Sequence, residues 1–138
     1  MSETFWDYCL AVYPKWEKTL LGWQQSHHLD VNLYLLAAWL DEEALYLEQA
    51  TWLALLSESR RMQAQWLTPY RQLRQQLKTA LNTEQYQQLK EMELRLEREA
   101  QRQYLALVSR DTSAQDYPNN KAEGPANLPR LKALYQLP

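Results

Sequence analysis

The chain has 138 residues and a formal net charge of -2, which indicates one compact domain. Its composition is dominated by 26 Leu, 15 Gln and 14 Ala, whereas Val occurs three times, Gly twice and Ile never. Helix formers prevail over strand formers, so the composition predicts an all-α fold, a compact bundle of about six helices. One cysteine excludes an internal disulfide, and no apolar run approaches the roughly 20 residues that cross a bilayer. We therefore expect a cytoplasmic protein without membrane insertion.

The first 40 residues predict three helices. Apolar residues recur at helical spacing over 3–13, and Pro14 is expected to open a second helix that runs to about His28, because a first turn does not need the N–H that proline lacks. Nine of the ten residues 31–40 are apolar, and Asp30 is placed to cap them. A helix that is apolar all round is expected at the centre of the fold.

Three further helices are predicted in the middle of the chain. A fourth helix follows the acidic residues 41–43 and ends at Ser57, and a fifth then runs to about Ala80. Pro69 is expected to kink or divide this fifth helix, because it cannot donate a hydrogen bond to a helical carbonyl. A sixth helix is expected from about residue 84 to residue 108, after a capped turn.

The composition changes after residue 109. Residues 110–126 are rich in Asp, Ser, Asn, Pro and Gly and predict a flexible linker, whereas 127–138 recover helical spacing with Asn127 as the expected cap. We therefore expect a helical domain over 1–109 that is tethered to a short amphipathic terminal helix. The sequence leaves open whether that helix docks on its own domain or on a partner.

One candidate site lies at the junction of the second and third helices. His27, His28, Asp30 and Asn32 gather two imidazoles, a carboxylate and an amide within six residues. No further histidine or carboxylate stands at a metal-ligand spacing, so no metal or other cofactor is expected. Capping and the end of the preceding helix account for three of these residues, while Asn32 needs either a structural partner, which we favour, or a ligand.

A second candidate site lies on the fifth and sixth helices. Arg71, Arg74 and Lys78 share one helical face and could hold a phosphate. If the two helices form an antiparallel hairpin, Arg71 lies opposite Glu93 and Lys78 lies opposite Tyr86. An ion pair between Arg71 and Glu93 that joins the helices is the simpler interpretation.

Charge is divided unequally along the chain. Residues 1–57 carry 8 acids and 2 bases, net -6, and residues 58–138 carry 9 acids and 13 bases, net +4. On the sixth helix, however, the bases alternate with glutamates, which repel phosphates. Nucleic acid is therefore not expected as a partner.

The six tryptophans fall at core-like positions of five predicted helices. We expect most of them to be buried, because each ring removes roughly 150–250 Å² from water. Ten aromatic residues precede residue 58. The alternative is therefore a groove, with Trp39 in its lining, that takes an apolar ligand or a partner helix.

Several of these residues stand together in a pattern that resembles a known family. The pattern consists of D-V-N-L at 30–33 followed by W-L at 39–40, and of W-x-x-P-x-R-x-x-R at 66–74. It resembles a family of small helical bacterial proteins of unknown function over residues 3 to about 105. The resemblance implies a helical fold and a proteobacterial cytoplasmic setting, and it brings no reaction or ligand.

Together these observations favour a non-enzymatic helical protein that binds another protein or itself. The alternative is a small-molecule or catalytic pocket formed by His28, Asp30, Asn32, Arg71 and Glu93. The candidate ligand- or partner-binding residues are His28, Asp30, Asn32, Trp39, Arg71, Arg74 and Glu93.

Overall fold

The computed structural model describes residues 2–111 and 126–138, and this part of the chain is helical almost throughout, which confirms the all-α prediction. Most of the predicted linker lies at 112–125, outside the described residues. The elements follow one another as α1 (Ser2–His27), α2 (Val31–Glu42), α3 (Gln49–Met62), a π segment (Gln63–Leu67), α4 (Thr68–Leu77), α5 (Thr83–Ser109) and α6 (Asn127–Tyr135). None of these helices has both the length and the apolarity that crossing a membrane requires.

The first helix is continuous, so the prediction that Pro14 opens a second helix is wrong. Proline at this position deprives the Leu10 carbonyl of its helical hydrogen bond. Both residues lie on the exposed side of α1, where water can solvate that carbonyl, and the helix continues. The described part of the chain therefore has five helices before α6, one fewer than predicted.

α2 forms the centre of the fold, as its apolar sequence predicts. Seven of its 12 residues are buried, and α1, α5 and α6 pack against it. Asp30 is its N-cap and accepts a hydrogen bond from the backbone N–H of Asn32. The Phe5 ring of α1 lies 5.3 Å from the Trp39 ring, and both side chains are buried.

The boundaries in the middle of the chain differ from the prediction. α2 ends at Glu42, the left-handed residue Ala44 with a φ of 55° follows in the turn, and α3 begins at Gln49. Ser57 lies inside α3 instead of ending a helix, because its exposed hydroxyl does not disturb the backbone there. The predicted division at Pro69 is present: the π segment ends just before it, and Pro69 stands in the first turn of α4.

The described residues fall into a hydrophobic core and a hairpin outside it. The core takes side chains from α1, α2, α3, α6 and the last third of α5, where burial begins at Ala100. No residue of α4 or of the first part of α5 is buried. We call residues 68–97 the arm, since α4 and the beginning of α5 pack against each other there.

Two of the six tryptophans are exposed despite their core-like spacing. Trp16 is 51% exposed and Trp66 is 52% exposed. Trp66 lies in the π segment, whose wider turn rotates residues away from the buried face of α3. The other tryptophans are buried or half-buried: Trp6, Trp23, Trp39 and Trp52.

Candidate functional site

The Asp30 carboxylate is buried and accepts three hydrogen bonds. Its Oδ1 accepts from the Asn32 backbone N–H at 2.9 Å, and its Oδ2 accepts from the hydroxyls of Ser59 at 2.7 Å and Tyr104 at 2.5 Å. Burial and the charge of Asp30 raise the pKa of Tyr104 above its usual range, so the hydroxyl stays protonated and donates. We call these residues the Asp30 cluster, which ties α2, α3 and α5 together.

Asn32 finds the structural partner that we favoured from its sequence. The Gln101 Nε2 donates to Asn32 Oδ1 at 2.8 Å and lies 3.7 Å from the Cys9 Sγ. Burial raises the pKa of the Cys9 thiol to about 12, so the thiol is protonated at neutral pH and is a poor nucleophile. This contact joins α1, α2 and α5 beside the Asp30 cluster.

The two histidines stand apart from the Asp30 cluster. His28 is exposed and adopts a φ of 56°, the left-handed conformation that ends α1. His27 shares a hydrogen bond of 2.6 Å with the Ser26 hydroxyl on the surface. Within the described residues, no group of three His, Cys, Asp or Glu side chains could hold a metal ion.

The arm contains a network of charged side chains that joins α4 to α5. Arg71 donates to Glu93 at 3.1 Å and to Glu97 at 2.8 Å, and Arg74 donates to the other oxygen of Glu93 at 2.7 Å. Arg74 also donates to the Tyr86 hydroxyl at 2.6 Å. The predicted pair between Arg71 and Glu93 is therefore confirmed, and we call these five residues the arm network.

The arm network sits at the boundary between protein and solvent. The side chains of Arg74 and Glu93 are 17% and 16% exposed, and that of Glu97 is 25% exposed. The pKa of Glu97 is raised, chiefly by burial and also by the charges of Glu93 and Asp30, although the hydrogen bond and the charge of Arg71 act in the opposite direction. The guanidinium groups are thus occupied by carboxylates of the same chain, and a phosphate at Arg71 would have to displace them.

A third polar cluster was not anticipated from the sequence. The buried Asn127 side chain accepts from the Leu47 backbone N–H at 3.0 Å and the Trp52 indole N–H at 3.2 Å. Its amide donates to Asp41 at 3.0 Å and to the Leu45 carbonyl at 2.8 Å. The prediction that Asn127 caps α6 is wrong: Ala126 stands at the N-cap position without a side-chain hydrogen bond. Asn127 is the first residue of the helix and instead fastens α6 to α2, to the turn after it and to α3. The terminal helix thus docks on its own chain.

The residues missed at these clusters leave weak signals in the sequence. Ser59 is a small polar residue on the face of α3 that otherwise buries Leu55 and Met62. Gln101 stands beside Ala100 on the buried face of α5. Such a polar interruption of an apolar face indicates a buried hydrogen bond, although it does not identify the partner.

Two surface grooves lie away from Asn32. One groove is lined by Ala50, Thr51, Ala54, Leu107 and Arg110. The other has a volume of about 360 Å³ and belongs to the arm, and its lining residues are Arg74, Gln87, Lys90, Glu93 and Leu94. We call the second one the arm groove. Of the candidate residues, only Arg74 and Glu93 line either groove.

A comparison with protein families gives one result. A family model described as "Protein of unknown function (DUF2390)" matches residues 4–104. The chain belongs to the DUF2390 family. The matched residues include the Asp30 cluster and the arm network, while Asn127 and α6 lie beyond them. The resemblance to a family of unknown function is thereby confirmed, and no curated protein and no solved structure matches the chain.

Proposed function

We propose that this DUF2390 protein is a non-enzymatic, cytoplasmic protein of bacteria that acts by binding another protein. The arm is the part of the chain that makes the contact. The proposal rests on the exposed apolar side chains of the arm, and it is supported by the hydrogen bonds that the polar candidate residues make with other helices.

The observation that carries the proposal is the apolar surface of the arm and of the π segment before it. Eight large apolar side chains are exposed in the described residues, and four of them lie between 66 and 94: Trp66, Leu73, Met92 and Leu94. Large apolar side chains that stay exposed in one region of a protein are candidates for a protein contact site. Ion pairs hold this surface in shape without burying it.

The use of the polar side chains supports the same proposal. The amide oxygen of Asn32 accepts a hydrogen bond from Gln101. Asp30 caps α2 and accepts hydrogen bonds from two hydroxyl groups. A catalytic pocket needs polar groups that are free to meet a substrate. The pocket alternative around Asn32 and Arg71 therefore gains no support from their contacts, which fasten helices to one another.

Quantitative capture from a bacterial lysate on the immobilised full chain tests this function. The arm variant carries Leu73→Ser and Met92→Ser, and its matched control carries Leu10→Ser and Leu21→Ser on α1. The exposed fractions are 50% and 41% in the arm pair and 60% and 39% in the control pair, so neither pair removes core contacts.

We expect the wild type and the control to retain the same proteins, and the arm variant to lose them. Binding of each retained protein is then repeated with purified components. The proposal fails if the arm variant retains the same set as the wild type, or if the wild type retains nothing beyond what blank resin does.

A further inference from the structure

The tip of the arm gathers three cations around one aromatic ring. The Arg74 Cζ lies 5.8 Å, the Lys78 Nζ 6.0 Å and the Lys90 Nζ 5.2 Å from the centroid of the Tyr86 ring. The ring face attracts each cation, yet the cations repel one another. Arg74 lies in α4 and Lys78 is the residue that follows the helix, and the two, four residues apart, form a like-charge pair.

Of these three cations, Arg74 is paired with a carboxylate, whereas the two lysines form no ion pair within the described residues. Glu93 is shared between Arg71 and Arg74, and Glu97 pairs with Arg71. Both carboxylates of the arm network are therefore paired with its two arginines. Lys78 and Lys90 are exposed and lie next to the Tyr86 ring, outside the ion pairs of the arm network.

Lys90 and Leu94 place this positive charge beside an apolar side chain. Both residues line the arm groove, and Leu94 is 51% exposed. An occupant that fits has carboxylates for the lysines and an apolar side chain for Leu94. We propose that the arm groove and the adjoining tip of the arm bind an acidic, leucine-bearing segment of a partner protein, through Lys90 and Leu94 in the groove and Lys78 beside Tyr86. This inference rests on the proposed protein-binding function and names its partner class.

The same groove is less suited to nucleic acid. Glu93 lines its wall, and the exposed Glu84 and Glu91 stand on the same part of α5. A duplex carries one phosphate charge per about 1.7 Å of its axis, so phosphates would fall beside these carboxylates. A peptide can place its few carboxylates at the lysines alone and turn its apolar side chain to Leu94.

Fluorescence anisotropy with a designed probe tests the inference on the full chain. The probe is a labelled helical peptide with two glutamates four residues apart and a leucine between them. A glutamine version lacks the charge, and a serine version lacks the leucine. A single-stranded DNA oligonucleotide of similar length serves as the nucleic-acid probe, and sedimentation without probe reports self-association.

Two pairs of variants separate charge from apolar contact. Lys78→Gln with Lys90→Gln is compared with Lys15→Gln and Lys18→Gln, a pair of exposed lysines on α1. Leu94→Ser is compared with Leu53→Ser, and both of these leucines are 51% exposed. Circular dichroism checks the fold of each variant, and Lys90→Gln alone replaces the double variant if that one unfolds.

We expect the peptide to bind the wild type and the double arm variant to bind it about tenfold more weakly, because two exposed ion pairs are lost. Leu94→Ser should also weaken binding, and both control variants should stay within about twofold of the wild type. The glutamine and serine probes should bind more weakly to the wild type.

Each of several outcomes overturns the inference. They are an absence of binding to the acidic peptide, equal binding by the double arm variant, tighter binding of the DNA, and self-association that Lys78→Gln with Lys90→Gln abolishes. If the lysate partners still depend on Leu73 and Met92, the proposed function survives and only this inference fails. If the peptide binds as expected while the lysate yields no partner, only the proposed function fails.

Discussion

The core and the arm are stabilised by different interactions. The core buries apolar side chains from α2 and four other helices, and it satisfies its few polar groups through the Asp30 cluster and Asn127. The arm buries no side chain and is joined by Arg71, Arg74 and their two glutamates. Buried hydrogen bonds are costly to break, whereas partly exposed ion pairs contribute little and weaken in salt. The arm should therefore be the first part of the described chain to open.

A single helix belongs to both regions. α5 is charged and unburied from Thr83 to Glu97, and it enters the core from Ala100 to Val108. Regions with few buried contacts can open locally while the rest of a protein stays folded. We therefore expect the arm to open locally while the core stays folded.

The largest expected effect is that of Asp30→Ala in the core. The substitution removes the cap of α2 and leaves the hydroxyls of Ser59 and Tyr104 without their acceptor. We expect the free energy of unfolding to fall by about 3–5 kcal/mol, measured by urea denaturation. Asp7→Ala, on the exposed side of α1, should change it by less than about 0.5 kcal/mol. A similar loss in both variants would contradict the role of the Asp30 cluster.

Asn127→Ala tests whether α6 belongs to the core. The substitution leaves the indole N–H of Trp52 and the backbone N–H of Leu47 without their acceptor. We expect a loss of about 2–4 kcal/mol in the free energy of unfolding and faster hydrogen exchange over α6. Gln88→Ala, which removes an exposed amide from α5, is the matched control. Unchanged exchange in α6 would show that its docking does not depend on Asn127.

Features that depend on neighbouring residues could be predicted from the sequence. The central position of α2 follows from its nine apolar residues and from Asp30 before them. The pair between Arg71 and Glu93 follows from counting equal distances on either side of the turn between α4 and α5. Both inferences need only helical periodicity and one short connection.

Features that depend on tertiary contacts could not be predicted. Whether Pro14 breaks a helix depends on which side of α1 faces water, and the sequence does not state this. Asn127 meets Leu47 across 80 residues, and Asp30 meets Tyr104 across 74. A polar residue on an apolar face signals that a partner exists, yet it does not reveal which helix supplies that partner.

The dependence of the free energy of unfolding on alkaline pH tests the burial of Cys9, which lies in the core and not in the arm. The pKa of Cys9 is raised by burial from 9.0 to about 12 in the folded chain. The unfolded chain loses this proton first as the pH rises, so the stabilisation is complete below pH 9.0 and is lost progressively above it. Between about pH 8 and about pH 10 the wild type should lose about 1.4 kcal/mol more than Cys9→Ala, measured by urea denaturation at each pH. Parallel pH profiles would contradict the burial of the thiol.

The smallest global effect is expected from the arm. Glu93→Gln removes the carboxylate that Arg71 and Arg74 share, and we expect a loss of about 1 kcal/mol or less in the free energy of unfolding. Hydrogen exchange should nevertheless rise over 68–97 and stay unchanged at 100–108. Salt at about 1 M, where the Debye length is about 3 Å, should raise exchange over the arm of the wild type in the same way. Glu91→Gln, a neighbouring exposed carboxylate, should leave exchange as it is. Because the arm and the end of the core share α5, equal increases in both parts would mean that the ion pairs stabilise the whole fold and that the two regions open together.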